Sequence, residues 1–292
     1  MPTLAQLIEQ TAQRFETAGI ALGQGTQDFR DEAAWLLLWA VGLPLDTDWQ
    51  AAEPGDLPAE TIARITAFVE KRIATRLPTA YLTGQAWLQG VPFFVDQRSI
   101  IPRSLIAEII ADGSADIWLD PQATRALDLC TGNGSLAVLA AMAWPDLHIT
   151  ASDVSADALA VARINIDQHQ LQDRINLLQG SGLDPIIATD LRFDLILCNP
   201  PYVNAQSMAA LPAEFQAEPD LALAGGQDGM DFVRPLLAQL PQVLSQNGVL
   251  ILEIGHERAF FEAAFPQLNP VWLQTSAGDD QVLLLTRDML QV

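Results

Sequence analysis

Two clusters of residues have types and spacings that suit chemistry. The first is Asp128-Leu-Cys130-Thr131-Gly132-Asn133-Gly134-Ser135, where an apolar run passes into a glycine turn and then a helical pattern. In an open parallel sheet, ligands bind beyond the carboxyl ends of the strands, and glycines at such a turn let a ligand approach the backbone. Asp153 ends the next apolar run, where a carboxylate can accept hydrogen bonds from both hydroxyls of a ribose. Together these features predict a nucleoside-containing cofactor. Gly132 to Ala137 also satisfies the looser GxGxxA pattern, so the turn alone leaves NAD open. The second cluster, Asn199-Pro200-Pro201-Tyr202, directly follows the apolar run Phe193 to Cys198. Each proline fixes its own φ and disfavours the helical region for the residue before it, so Asn199 and Pro200 are held extended with rigidly projecting carbonyls. The Asn199 side-chain oxygen and the Pro200 backbone oxygen can accept the two N–H bonds of a planar amide or exocyclic amine, and Tyr202 offers a ring face.

The elements around these clusters fall into three stretches. Residues 1–78 read as a helical bundle. Thr3 caps a run ending near Gly19, a second runs from Phe29 to Val41 before Gly42, and a third opens at Pro58 and ends before Pro78. With no chemical residues of its own, this bundle suits substrate recognition rather than catalysis. Residues 79–104 change period and predict a β-hairpin connector around Gly90. Residues 105–292 alternate short apolar runs with helical stretches. Seven candidate strands span 125–130, 147–152, 174–179, 193–198, 248–254, 271–275 and 282–286, with helices at 135–143, 155–169, 231–244 and 257–265. The pattern predicts an α/β fold, a doubly wound and mostly parallel seven-stranded sheet with right-handed crossovers and an antiparallel hairpin at one edge.

Composition narrows the functional classes. A chain of 292 residues, half of them apolar, buries enough surface to exclude disorder, and two cysteines are too few for a disulfide scaffold. Cys130 and Cys198 lie in apolar segments, as in a reducing cytoplasm. No apolar run is long enough for a bilayer span, and Glu9, Glu16 and Asp28 interrupt the stretch where a signal peptide would need an apolar core. The net charge of −21 and the lack of a basic stripe disfavour free nucleic acid and favour a basic protein partner. His148, His169 and His256 have no metal-ligand spacing with either cysteine, so no metal is expected.

The paired motifs DxCxGxG and NPPY resemble those of class I methyltransferases that use S-adenosylmethionine to methylate the side-chain amide of glutamine in proteins, and the resemblance runs over nearly the whole chain. One branch modifies peptide chain release factors and another modifies large-subunit ribosomal protein L three. The stretches Ala80 to Gly90, Phe94 to Arg98 and Ile101 to Ser104 are similar to the ribosomal branch. The release-factor branch typically has Pro-Arg-Pro with an acidic residue three positions on, where this chain reads Pro102-Arg103-Ser104-Leu-Ile-Ala107-Glu108; Cys130 in place of the usual first glycine also favours the ribosomal branch. The resemblance implies a Rossmann-like fold, S-adenosylhomocysteine as product and roles for named residues. Asp128, Cys130, Thr131, Gly132, Asn133 and Gly134 would face the methionine end of the cofactor and Asp153 its ribose. Asn199 would border cofactor and substrate, and Asn199, Pro200, Pro201 and Tyr202 would hold the glutamine, with Asn199, Pro200 and Tyr202 carrying the catalysis.

Several positions stay open at this level. The family often has an acidic residue toward adenine near Ser181, where this chain reads Gln179-Gly-Ser-Gly-Leu-Asp184, so either Asp184 is displaced or adenine is held otherwise. Glu218 through Gly229 reads equally as a mobile glycine-rich lid or as a contact loop. Arg103 reads as an anion guide or a surface ion pair, and Glu253 and Gly255, which end a strand on the cofactor side, read as packing and sheet termination. Adenine methylation of nucleic acid, a nicotinamide oxidoreductase and a silent nucleotide-binding module are the competing functions.

Overall fold

The computed structural model describes residues 2–50 and 57–290. Three helices open the chain: α1 (Leu4–Thr17), α2 (Phe29–Val41) and α3 (Ala59–Thr75). Thr3 caps α1 in a reciprocal box with Gln6, and Asp28 caps α2, which ends at Gly42 in the left-handed region. Ile8, Phe15, Leu36, Leu37, Ile65 and Val69 recur at helical spacing and close on each other as a separate apolar core. The connector holds a one-turn helix α4 (Thr79–Thr83) and the expected hairpin, β1 (Gln85–Leu88) antiparallel to β2 (Val91–Phe94). It then passes through a turn at Asp96–Ser99 to α5 (Ile106–Ala111).

The remaining elements alternate as β3 (Arg125–Leu129), α6 (Ser135–Ala143), β4 (His148–Asp153), α7 (Ala156–Gln168), β5 (Ile175–Gln179), α8 (Asp184–Ile187), β6 (Phe193–Cys198), α9 (Ala205–Ala209), α10 (Val233–Gln239), β7 (Leu244–Glu253), α11 (Arg258–Ala264), β8 (Val271–Thr275) and β9 (Gly278–Thr286). The sheet order is β5-β4-β3-β6-β7-β9-β8, parallel except for β9. The expected edge hairpin exists, but β9 folds back between β7 and β8, so β8 is the edge. Separate apolar layers cover the two faces, which is why β6 and β7 read as continuous apolar runs. Among the described residues, no helix is long and apolar enough to cross a membrane.

Several boundaries depart from the sequence reading: β7 starts at Leu244 rather than 248 and β9 at Gly278 rather than 282, and others shift by a residue or more. The helix expected over 231–244 ends at Gln239 and tightens into a single 3-10 turn at Leu240–Gln242, because Pro241 cannot continue the hydrogen-bond ladder; Leu244 already belongs to β7. Strand β3 ends at Leu129, not Cys130, whose φ of 60° turns the chain out of the sheet.

Candidate active site

Parallel pairing of β3 with β6 sets Leu129 opposite Cys198, so the glycine turn and the Asn199–Tyr202 segment leave the sheet side by side. They open onto a cavity of about 640 Å³ at the carboxyl ends of the strands. Its wall includes Cys130, Thr131, Gly132, Asn133 and Asp153 from the first cluster and Asn199, Pro200, Pro201 and Tyr202 from the second. Two predicted cofactor residues, Asp128 and Gly134, stand outside that wall. A Cβ on Gly134 would lie 3.1 Å from the Ala162 side chain of α7, and its φ is 80°, so this glycine serves helix packing rather than ligand approach.

The turn is held by hydrogen bonds from the adjacent strand end. Thr131 N–H donates to the Ser152 carbonyl at 2.9 Å, and Gly132 N–H donates to Asp153 Oδ2 at 2.9 Å. Asp153 Oδ1 accepts from Ser155 N–H at 2.9 Å; each oxygen keeps a second lone pair for a ligand hydroxyl. Burial pushes the Asp153 carboxyl above the usual carboxylate range. A hydrogen bond to Cys198, with burial second, pushes the Cys130 thiol well up. Four buried polar atoms lack partners here: Ser99 Oγ, Asn133 Nδ2 and Ser152 Oγ, on residues that line the cavity, and Asp128 Oδ1 behind it. Such orphans cost about 1–3 kcal/mol each unless something polar satisfies them, so the donor set fits a polar, nucleoside-sized cofactor.

Asp128 supports the turn from below. Its Oδ2 accepts from Thr131 Oγ1 at 2.5 Å and from Ala137 N–H at 3.0 Å, joining β3, the turn and α6. Burial pushes its carboxyl up to about 7. A native-state value above the unfolded one means that the folded protein binds this proton more tightly, so the stability contribution is fully present below pH 4 and is lost as pH rises toward 7. Urea unfolding at pH 5 and pH 8 is expected to give a wild-type stability loss larger by about 2 kcal/mol than that of Asp128→Asn. Parallel pH profiles of the two proteins would overturn this.

The second cluster is poised. Among the described residues, none donates to the Asn199 side-chain oxygen or the Pro200 carbonyl, which leaves two open acceptors on residues of the cavity wall. Tyr202 is not free: its hydroxyl donates to Glu253 Oε1 at 3.1 Å, and a Cβ on Gly255 would meet its ring at 2.5 Å. Burial, and then the Glu253 charge, push the phenol well above its ordinary range. Gly255 thus serves the packing expected of it, while Glu253 adds a hydrogen bond that packing and sheet termination do not require.

Other open positions resolve as well. Arg103 lines the cavity and directs one nitrogen, Nη1, at both oxygens of Glu218, at 2.8 and 2.9 Å; since that carboxylate is fully buried, the pair is an interior one rather than the surface ion pair expected. Gln24, from the α1–α2 loop, donates to the same carboxylate. The Glu218–Gly229 loop is pinned, not a free lid: Val203 N–H donates to Leu223 O and Gly225 N–H to Val203 O, each at 2.8 Å, while Pro219 and Leu221 line the cavity. Asp184 begins α8 and accepts from Gln239 outside the cavity, whereas Ser181 and Gly182 line it. Gly23 and Gln27 bring the first helices to the same wall, and no local sequence signal marked them.

Residues 116–227 match the family model of the methyltransferase small domain. A ribosomal protein uL3 glutamine methyltransferase of Bordetella pertussis is 51% identical over 291 residues, covering 99% of this chain and 97% of that protein. One of Burkholderia pseudomallei is 47% identical, covering 97% of this chain and 94% of that protein. Among solved structures, the hMettl16 catalytic domain in complex with a MAT2A 3′UTR hairpin superposes with a TM-score of 0.51 at 16% identity, covering 78% of this chain and 81% of that one, a likeness of fold alone. Methyl transfer therefore replaces the nicotinamide chemistry that the glycine turn left open. By its near full-length identity to these enzymes, the chain belongs to the family of ribosomal protein uL3 glutamine methyltransferases.

Proposed function

We propose that this protein transfers a methyl group from S-adenosylmethionine to a glutamine side-chain amide of ribosomal protein uL3. The observation that carries this reading is the pair of unpartnered acceptors on Asn199 and Pro200, carried on a proline-restricted backbone at a cavity whose adjoining wall suits a nucleoside cofactor. The 51% identical relative supports the substrate, and a net charge of −21 suits a basic ribosomal protein. Release factors, as modified by the other branch, are the runner-up, and the same charge disfavours free nucleic acid.

The cofactor supplies an electrophilic methyl on a sulfonium. An amide nitrogen is a poor nucleophile, because its lone pair is delocalised into the carbonyl. Asn199 Oδ1 and the Pro200 carbonyl would accept its two N–H bonds and aim the nitrogen, and as the N–C bond replaces the methyl's C–S bond one of these two protons would leave for solvent, while the Tyr202 ring covers the amide plane. Fixing two reactants in this way supplies about 7–11 kcal/mol of barrier reduction. Cys130, Thr131, Gly132, Asn133 and Asp153 would hold the cofactor, with Asp153 on the ribose and Ser181 and Gly182 at the adenine end. Asp128 and Gly134 act from behind by keeping the turn in shape. We divide the chain at 1–78, 79–104 and 105–292, with the first unit recognising the protein substrate beside the reaction chamber in a reducing cytoplasm.

The test offers unmodified uL3 and an unmodified release factor side by side with labelled S-adenosylmethionine and locates the methyl by mass spectrometry. Label on a uL3 glutamine alone is the expected result. Label on the release factor alone would overturn the substrate, and label on neither would overturn glutamine methylation. S-adenosylhomocysteine should raise the melting temperature where NAD does not.

A further inference from the structure

Glu253 stands at the end of β7, 3% exposed, with its carboxylate shared between two parts of the chamber. Oε1 accepts from the Tyr202 hydroxyl at 3.1 Å, and Oε2 accepts from Ser104 Oγ at 2.6 Å and Leu105 N–H at 2.9 Å. Placing a charge at the buried end of a strand carries a desolvation cost, and burial does push this carboxyl above its usual range. Strand termination requires no carboxylate. What the carboxylate does achieve is to link β7, the start of α5 and the segment after β6, all three of which border the cavity.

The prolines restrict backbone torsions only, so the side-chain torsions of Tyr202, like those of Asn199, need other contacts to fix them. Two contacts remove that freedom: Gly255 lets the ring lie where any larger residue would collide with it, and Glu253 fixes the hydroxyl. We infer that Glu253 is a positioning residue for methyl transfer, acting through the Tyr202 hydroxyl to hold the ring that covers the substrate amide. The inference rests on the proposed reading of Asn199–Tyr202 as the glutamine-holding segment.

Glu253→Gln keeps the side-chain volume and one acceptor, but it cannot accept from Tyr202, Ser104 and Leu105 together. It should lower kcat for uL3 methylation about 10²-fold, because displacing a reactant-holding group by about 1 Å costs that much. S-adenosylhomocysteine affinity, measured by calorimetry, should change less than about threefold, as Glu253 supports the substrate side. Tyr202→Phe should reproduce the loss, and the double variant should be no worse than either single one, since both remove the same interaction. Ser104→Ala removes a contact of the same carboxylate without touching Tyr202 and should cost much less in kcat. Multiplying losses in the double variant, an equal loss from Ser104→Ala, or wild-type kcat in Glu253→Gln would each overturn the inference.

A second readout does not depend on activity. Tyr202 is one of only two tyrosines, so its ¹³Cζ resonance is readily assigned, and it should shift in Glu253→Gln while that of Tyr81 stays in place. An unmoved Tyr202 resonance overturns the hold itself. Absence of transfer by the wild-type enzyme overturns the proposed function instead, and the two failures are thereby distinguished.

Discussion

Replacing Asn199 by Ala is expected to lower methyl transfer by about 10²–10³-fold, the cost of removing one preorganised hydrogen-bonding group from a reaction site. The expectation follows from what Asn199 does not do within the fold. Its side-chain oxygen accepts no hydrogen bond from a described residue, so truncation breaks no internal bond of its own, and Pro200 continues to restrict the Asn199 backbone. The protein should therefore keep its melting temperature within a few degrees. The turn that would hold the cofactor is anchored separately by Asp153 and Ser152, so S-adenosylhomocysteine should still protect the variant from heat. Single-turnover rates with uL3, paired with thermal shifts, check this. Loss of cofactor protection together with activity would move Asn199 from the substrate to the cofactor. A transfer rate within tenfold of wild type would remove it from the reaction altogether.

The largest expected effect on stability lies where the first helices meet the loop after α9. Arg72 of α3 is enclosed at 2% side-chain exposure, its Nε 3.0 Å from Glu32 Oε1 and its Nη1 3.6 Å from Glu214 Oε1. Glu32 also accepts from Thr79 Oγ1 at 2.7 Å and Thr26 Oγ1 at 2.6 Å, while Arg76 approaches Glu214 at 3.4 Å. Removing one partner of a buried ion pair leaves a charge without water or counterion, at a cost of about 3–5 kcal/mol. Arg72→Met is expected to lose that much stability and about 10 °C in Tm, read by urea and thermal unfolding. Arg72→Met combined with Glu32→Gln should recover part of the loss, since the abandoned carboxylate is then neutral. A loss under about 1 kcal/mol in the single variant would mean that the network behaves as a surface pair. Because Arg72, Glu32 and Glu214 do not line the cavity, cofactor protection should survive in the destabilised variant.

These two sites differ in how far a reader of the chain alone could have found them. Asn199-Pro200-Pro201-Tyr202 is legible because proline acts locally: its restriction of φ and of the preceding residue needs no distant partner. The glycine turn and the alternation of strand and helix are legible for the same reason, since backbone conformation and hydrophobic periodicity are properties of neighbouring residues. The antiparallel hairpin at 271–286 was visible too, but its insertion as β9 between β7 and β8 depends on long-range pairing.

Interactions across long stretches of chain carried no such mark. Glu253 closes on Ser104 and Tyr202, Arg103 on Glu218, and Arg72 on Glu32 and Glu214, each pair separated by a chain length over which periodicity says nothing. A buried glutamate and an exposed one are the same letter; only packing decides which carboxylate is desolvated and what it must bond. The same holds for Asp128 and Gly134, whose motif positions pointed at a ligand. Folding instead turned one under the glycine turn and the other against α7, because backbone bonds and helix packing claimed them first. Local chain chemistry thus specifies the turn and the Asn199–Tyr202 segment, while the low-dielectric interior, assembled from distant residues, specifies what holds them in place.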